Sequence, residues 1–207
     1  TSLKTISEAT ARHNLSGLEF VCGIPGSVGG AVYMNSGAYE MDISKVVYTS
    51  KVIVCGGKNT NDNSPYLKTL TNAEHLFSYR HSVLQDSPFI HVASTFLLNT
   101  DKSKDILKRI KEYNSTRAEK QPLEMPSAGS VFKRPQGFFS GKLIQDSGLK
   151  GFRIGDAMVS DKHCGFIVNL GKASAADVLS LIEHIQSTVY ARFGIMLQPE
   201  VRIIGEK

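Results

Sequence analysis

The sequence has no run of about 18 apolar residues, so no stretch of it could cross a bilayer as a helix. Cysteine is scarce. Cys22, Cys55 and Cys164 lie far apart with no CxxC pair, which argues against a disulfide framework and a zinc ribbon. No disulfide is expected, and a reducing cytoplasm is the simpler setting. The first residues, TSLKTISEATARHNL, lack both an initiator Met and the apolar stretch of a secretory signal, which reads as a fragment or a processed product. Neither sign of charge dominates: 24 Lys and Arg stand against 19 Asp and Glu, a net +5. That excess suits anionic partners of any size and does not specify nucleic acid. No internal repeat or low-complexity tract is visible. What remains is ordinary: 207 residues, 41% hydrophobic and 21% charged, enough for one large domain or two modest ones with a real core.

Apolar residues at Leu3, Ile6 and Ala9 predict a short helix over Ser2–Asn14. From Gly23 to Gly37 the segment GIPGSVGGAVYMNSG carries five glycines and a proline, which predicts a shaped loop rather than regular structure. VVYTSKVIV (46–54) and FIHVASTFLL (89–98) are rich in β-branched and aromatic residues and read as strands. Between them, KNTNDNSPY is polar turn material. Lys102–Arg117 sets Ile106, Leu107, Ile110 and Tyr113 on one helical face. Past Arg117 the run EKQPLEMPSAGSVFKRPQG breaks every periodicity, and a domain boundary is placed near it. Gly141–Leu149 reads as a short helix and Gly165–Asn169 as a strand. Ala173–Phe193 is a long helix with Ser174 as cap, Asp177 three residues on, and Gly194 as its stop. Met196–Ile204 alternates as a terminal strand with Pro199 near its start. Strands and helices without a βαβ rhythm indicate an α+β fold.

Several constellations could carry chemistry. The Gly-rich loop could bring backbone N–H groups to a phosphate or a flat ring, or be a tight structural loop. Its spacing is neither GxGxxG nor GxxxxGK[ST]. In FSYRHS, Arg80 could stack on an aromatic, grip a carboxylate with its planar fork, or form a surface ion pair. Ser130 in AGSVFKRP is a turn hydroxyl beside two cations, with no GxSxG elbow around it. Glu200 sits in an apolar run with Arg202 two residues on, and the two could simply pair. The six histidines show no metal-ligand spacing, so no metal site is read.

Taken in order, GIPGSVGGAVYMNSGAY, FSYRHS, AGSVFKRP, GLKGFRIGDAMVSDKHCGFIVN and FGIMLQPEVRIIGE resemble the UDP-N-acetylenolpyruvoylglucosamine reductase family, flavoenzymes of bacterial peptidoglycan synthesis. The likeness runs from about Leu18 to Glu206. It implies an FAD-binding α+β part (1–118) lacking the family's amino-terminal FAD-binding segment. A smaller α/β substrate-binding part (119–195) follows, and a terminal strand (196–207) returns to the first. The implied reaction has NADPH reduce FAD, which then passes hydride to the enolpyruvyl methylene of a UDP-sugar before the neighbouring carbon is protonated. Ser130 matches the proton donor, and Arg80 with Glu200 the pair that polarises the substrate carboxylate. Ile24, Gly30, Tyr33, Asn35, Gly37, Ala38, Arg117 and Arg202 match FAD contacts. Lys120, Arg134 and His163 match residues around the UDP-sugar diphosphate. No nucleic-acid or membrane partner is implied. Two departures stand out: Glu40, where the family usually has Gly, so that either a negative φ or a different turn is expected, and Gly165, expected to loosen the adjacent strand. The other reading is a non-catalytic nucleotide-sugar binding fragment that has lost the flavin.

Overall fold

The structure is a computed structural model that describes residues 1–55 and 64–205. It divides into two compact units, Thr1–Arg117 and Ala118–Lys207. In the first, α1 (Leu3–Arg12) starts where the Ser2 hydroxyl accepts the Thr5 N–H at 3.0 Å. Its buried stripe is Leu3, Ser7 and Ala11, spaced by four, whereas Ala9 is exposed. β1 (Leu15–Ser16) follows. The segment expected to be a loop contains a helix, α2 (Val28–Met34), with Ser27 as cap and Asn35 closing it in the left-handed region at φ 43°. The glycines hid this helix because one of them serves packing. A Cβ on Gly29 would lie 3.1 Å from His91 Nδ1, so only a bare backbone lets α2 come this near the imidazole.

β2 (Gly37–Ala38) and β3 (Met41–Asp42) form a hairpin whose two-residue turn, Tyr39–Glu40, has φ values of 54° and 62°. Such a turn suits the right-handed twist of the strands and favours Gly or Asn. Glu40 therefore carries left-handed strain, and Glu40→Gly should raise the unfolding free energy by about 1 kcal/mol. An unchanged urea midpoint would show that the turn relaxes without it.

The principal sheet is antiparallel, with β4 (Val47–Val54) between β5 (Tyr66–Thr71) and β6 (Phe89–Phe96). β5 was not expected: it starts at Tyr66, the last residue of the presumed turn, most of which falls in 56–63 and so outside the described residues. β7 (Asn99–Thr100) pairs with β1, and α3 (Ser103–Lys120) follows with Ile106 and Ile110 buried. Leu107, expected on the same face, is 44% exposed. The core gathers Leu3, Phe20, Val32, Ile43, Val52 and Leu70, all from this unit.

Within that core lies a polar chain. His75 Nε2 meets Ser50 Oγ at 2.9 Å, Ser50 Oγ meets Ser94 Oγ at 2.7 Å, and Ser94 Oγ meets His91 Nε2 at 2.8 Å. Two hydroxyl protons can make two of these bonds, so one ring must donate the third. His75 Nδ1 is buried with no partner, and a proton there would be an orphaned N–H. The chain therefore runs from His75 Nε2–H through both serines to an unprotonated His91 Nε2. Burial depresses the pKa of both rings, and His91 lowers that of His75 further. A depressed imidazole pKa gives stability that is whole above the ordinary value near pH 6.5 and is lost as pH falls towards the folded-state value. The unfolding free energy should accordingly drop between about pH 7 and pH 5, by up to about 1.4 kcal/mol per pH unit for each ring kept neutral, and the urea midpoint with it. His75→Phe, which can still stack on Phe77, should flatten this slope. Equal slopes in the two proteins would remove the chain from the explanation.

In the second unit, β8 (Ser127–Ser130) falls in the stretch where no regular element was expected. α4 (Ser140–Asp146), β9 (Arg153–Ile154), β10 (Ala157–Val159) and β11 (Phe166–Asn169) follow, giving an antiparallel sheet of order β8-β11-β10-β9. α5 (Ala175–Phe193) has the anticipated ends: a reciprocal capping box between Ser174 and Asp177, and Gly194 at φ 68°. Its stripe of Leu181, Ile182, Ile185 and Val189 covers Ile144, Val159 and Phe132, a core drawn wholly from this unit. The terminal strand is not formed among the described residues. The run near Pro199 makes one isolated bridge, to Phe132, with Lys133 N–H donating to Gln198 C=O (2.8 Å) and Glu200 N–H to Val131 C=O (2.7 Å). Pro199 has no N–H to extend that ladder. The three cysteines are free thiols.

Candidate functional site

Ser130 ends β8, where it pairs with Phe166 beside a register shift. Its hydroxyl reaches Phe132 C=O only at 3.4 Å, long for an O–H···O bond, so the proton is weakly committed. The next residue, Val131, accepts from the N–H of Glu200, which sets Ser130 and Glu200 on adjoining extended runs. Glu200 is half-buried and Arg202 exposed. His163 is half-buried, and Gly165 N–H donates to its Nδ1 at 3.1 Å. Burial lowers its pKa, so the ring is neutral at pH 7.

Gly165 precedes β11, whose pairing with β8 shifts register between Phe166 and Val168. A Cβ there would sit 2.9 Å from His163 Cε1 and 3.5 Å from Ser130 Oγ, so the absent side chain is what lets the imidazole fit. Arg134 is exposed with its guanidinium 3.9 Å from the centre of the Phe139 ring, a cation–π contact that holds a mobile side chain in one place. Lys120 lies exposed at the end of α3.

In the first unit, Arg80 occupies a tight turn closed by reciprocal bonds between Ser78 and His81 (3.1 and 3.2 Å). Its φ of 55° is left-handed, a conformation that non-glycine residues hold only where neighbours enforce it. Those neighbours are identifiable. Gln85 Nε2 donates to Arg80 C=O (3.1 Å) and to Tyr33 C=O (2.9 Å), and Asn35 Nδ2 donates to Ser78 C=O (2.9 Å). The guanidinium donates to Gly37 C=O at 3.2 Å and lies 5.0 Å from the Tyr79 ring.

Tyr33, Asn35, Gly37 and Arg80 are thus tied into one framework. Asn35 is buried, its Oδ1 accepting Ser44 N–H at 3.0 Å, so its side chain holds the Arg80 turn to the end of α2. Sequence reasoning missed this role and those of Gln85 and of Ser82, whose hydroxyl donates to Tyr33 C=O at 2.8 Å, because bonds between segments some fifty residues apart leave no local pattern. Ala38 completes the β2 strand, and Ile24 is half-buried against the core. Arg117 packs on Gly23, where a Cβ would lie 2.7 Å from its Nε. Gly30 is exposed, with only the Ser27 hydroxyl within 4 Å of a would-be Cβ. Among the described residues no group of His, Cys, Asp and Glu could hold a metal ion, and no helix is long and apolar enough to cross a membrane.

Comparison with known proteins places the chain in a family. The chain superimposes on the crystal structure of UDP-N-acetylenolpyruvylglucosamine reductase from Thermus caldophilus with a TM-score of 0.81 and 35% identity, covering 98% of this chain and 69% of that one. This match defines its class, a mixed helix-and-sheet protein with the architecture of a solved reductase. The profile described as UDP-N-acetylenolpyruvoylglucosamine reductase, C-terminal domain, matches residues 121–204. Curated proteins named UDP-N-acetylenolpyruvoylglucosamine reductase are 48% identical in Lachnoclostridium phytofermentans, over 100% of this chain and 64% of that protein, and 51% identical in Agathobacter rectalis, over 99% and 62%. The chain belongs to the UDP-N-acetylenolpyruvoylglucosamine reductase family. It spans just under two thirds of the length of these curated relatives.

Proposed function

We propose that the chain supplies the proton donor and the substrate-binding part of an FAD- and NADPH-dependent, cytoplasmic reduction of UDP-N-acetylenolpyruvoylglucosamine to UDP-N-acetylmuramate in peptidoglycan precursor synthesis. The observation that carries it is the Ser130 hydroxyl, weakly bonded and close to both a neutral imidazole and the Glu200 run. An alcohol is a poor acid in water. It can serve when the acceptor is a strongly basic enolate carbon held within hydrogen-bond reach. In this reading the planar Arg80 fork suits a carboxylate, and Glu200 of the second unit would stabilise charge building on the substrate only as a hydrogen-bond donor, which a carboxylate anion is not. Lys120, Arg134 and His163 take the diphosphate.

The surface of the first unit fits a flavin. Pro25, Gly26, Ser27 and Gly30 are all exposed, and a Cβ on Gly30 would meet nothing closer than 3.4 Å, so backbone could approach a flat ring there. Ile24, Gly30, Tyr33, Asn35, Gly37, Ala38 and Arg117 would hold it, Asn35 through the backbone it shapes. When bound, the flavin supplies the electron pair and hydrogen that saturate the enolpyruvyl double bond.

Calorimetric titration of the chain with the UDP-sugar tests the substrate part, and the visible spectrum after adding FAD tests the cofactor part. Saturable UDP-sugar binding with a yellow complex is the expected outcome. Absence of UDP-sugar binding would defeat the assignment. Sugar binding without flavin uptake, even after the third of a relative that this chain does not span has been fused to it, would favour the non-catalytic binding fragment.

A further inference from the structure

His163 is held in a slot whose walls are glycine. A Cβ at Gly165 would come within 2.9 Å of its Cε1 and 3.1 Å of its Nδ1, and a Cβ at Gly141 within 3.2 Å of Cε1. The Phe166 ring stands edge-on to it at 5.0 Å. The backbone entering the slot is fixed by Ser160, 2% exposed, whose hydroxyl accepts the N–H groups of Lys162 (3.2 Å) and His163 (3.3 Å).

Into this slot Gly165 directs its own N–H, donating to His163 Nδ1. An Nδ1 that accepts cannot carry a proton, so the neutral ring must carry it on Nε2. Among the described residues Nε2 has no protein partner and is not a buried orphan, so it reaches solvent. The would-be Cβ of Gly165 also lies 3.5 Å from Ser130 Oγ, so the ring and the hydroxyl border the same small space.

We propose that Gly165 is a positioning residue that locks His163 as a neutral Nε2–H donor beside Ser130, where it hydrogen-bonds an anionic oxygen of the nucleotide-sugar diphosphate. The proposal rests on the reading of this unit as a UDP-sugar binding part. Protonating Nδ1 would set two N–H donors against each other, so the slot excludes the imidazolium. The charged neighbours on the surrounding elements do not supply a proton or a compelling counter-charge: Lys142 on α4 pairs with Asp146 at 2.6 Å, and Lys162 with Glu124 at 3.6 Å, while Asp161 is exposed. A free histidine that meets a phosphate binds it more tightly as pH falls and the ring becomes charged. A locked one does not.

Two readouts decide this. Nitrogen NMR of labelled imidazole should find His163 protonated on Nε2, with Gly165→Ala losing that preference as its methyl displaces the ring. Calorimetry with uridine diphosphate should give an affinity that does not strengthen between about pH 7.5 and pH 5.5. Gly165→Ala should weaken it about tenfold, the loss of one hydrogen bond to a charged group. Because Gly165→Ala could disturb folding, His163→Gln, which keeps a neutral N–H donor, should retain most of the affinity, and His163→Phe should lose it. A proton on Nδ1, or mixed tautomers, would overturn the lock whatever binds. Affinity that rises on acidification, or is unchanged in His163→Phe, would overturn the donor role. A confirmed Nε2–H in a protein that ignores uridine diphosphate would reject the ligand half of the proposal and the UDP-sugar reading together, leaving the lock alone.

Discussion

Arg109→Ala should cost the first unit roughly 3 kcal/mol, the low end of what removing one partner from a buried ion pair does, since the Arg109 side chain is itself about a third exposed. Glu19 is 6% exposed in a short turn after β1. Its Oε1 receives Arg109 Nε at 3.1 Å and Nη2 at 2.7 Å, along with the Ser16 hydroxyl, and its Oε2 receives Gly17 N–H at 2.6 Å. The same guanidinium reaches Asp101 at 2.6 Å, so one side chain of α3 anchors the segments around both β1 and β7. Burial by itself would raise the Glu19 pKa. Arg109 and the N–H and hydroxyl donors outweigh it, and the carboxyl titrates below its ordinary range. Its contribution is therefore present above about pH 4.3 and lost as pH falls through the depressed value. In Arg109→Ala burial wins and the pKa rises, so the gap between variant and parent should narrow on acidification. Glu19→Gln in the same background should recover part of the loss. A penalty below about 1 kcal/mol at neutral pH would mean that water has rescued the carboxylate.

Ser130→Ala, placed in a full-length member of the family carrying this chain, should slow turnover of the enolpyruvyl substrate by about 10²–10⁴, the usual worth of a positioned proton donor. The bleaching of bound flavin by NADPH should proceed as before, because that half-reaction needs no proton from the serine. Stability should hardly change, since the mutation sacrifices only a 3.4 Å contact. Stopped-flow absorbance separates the half-reactions. If flavin bleaching and substrate turnover decline together, the serine is acting on the fold or on cofactor binding and not as the acid.

What could be read from residues alone was what local physics dictates. α5 announced both ends, because a capping box and a left-handed glycine are chemical necessities at those positions. β4 and β6 showed in their β-branched side chains. β8 did not, since Ser-Ala-Gly-Ser has no strand preference and is held in place by β11. α2 was obscured for the opposite reason: Gly29 is there for His91, and composition cannot separate a packed glycine such as this from an exposed one such as Gly30. Gly37 is another of the second kind, with a would-be Cβ 2.6 Å from Met41 C=O. The expected terminal strand failed at Pro199 after a single bridge. Of the candidate site, Arg80, Ser130, Glu200, Asn35 and His163 were named from motif likeness, whereas the tie from Asn35 to the Arg80 turn, the part played by Gln85 and the slot around His163 depend on contacts that only folding creates.

Since each hydrophobic core is assembled within one unit, heat need not dissolve both together. A scanning calorimeter should register the chain as the sum of two endotherms, and a midpoint quoted for the whole would describe neither. Substitutions such as Arg109→Ala would then move one peak and leave the other as an internal standard against which the shift is read.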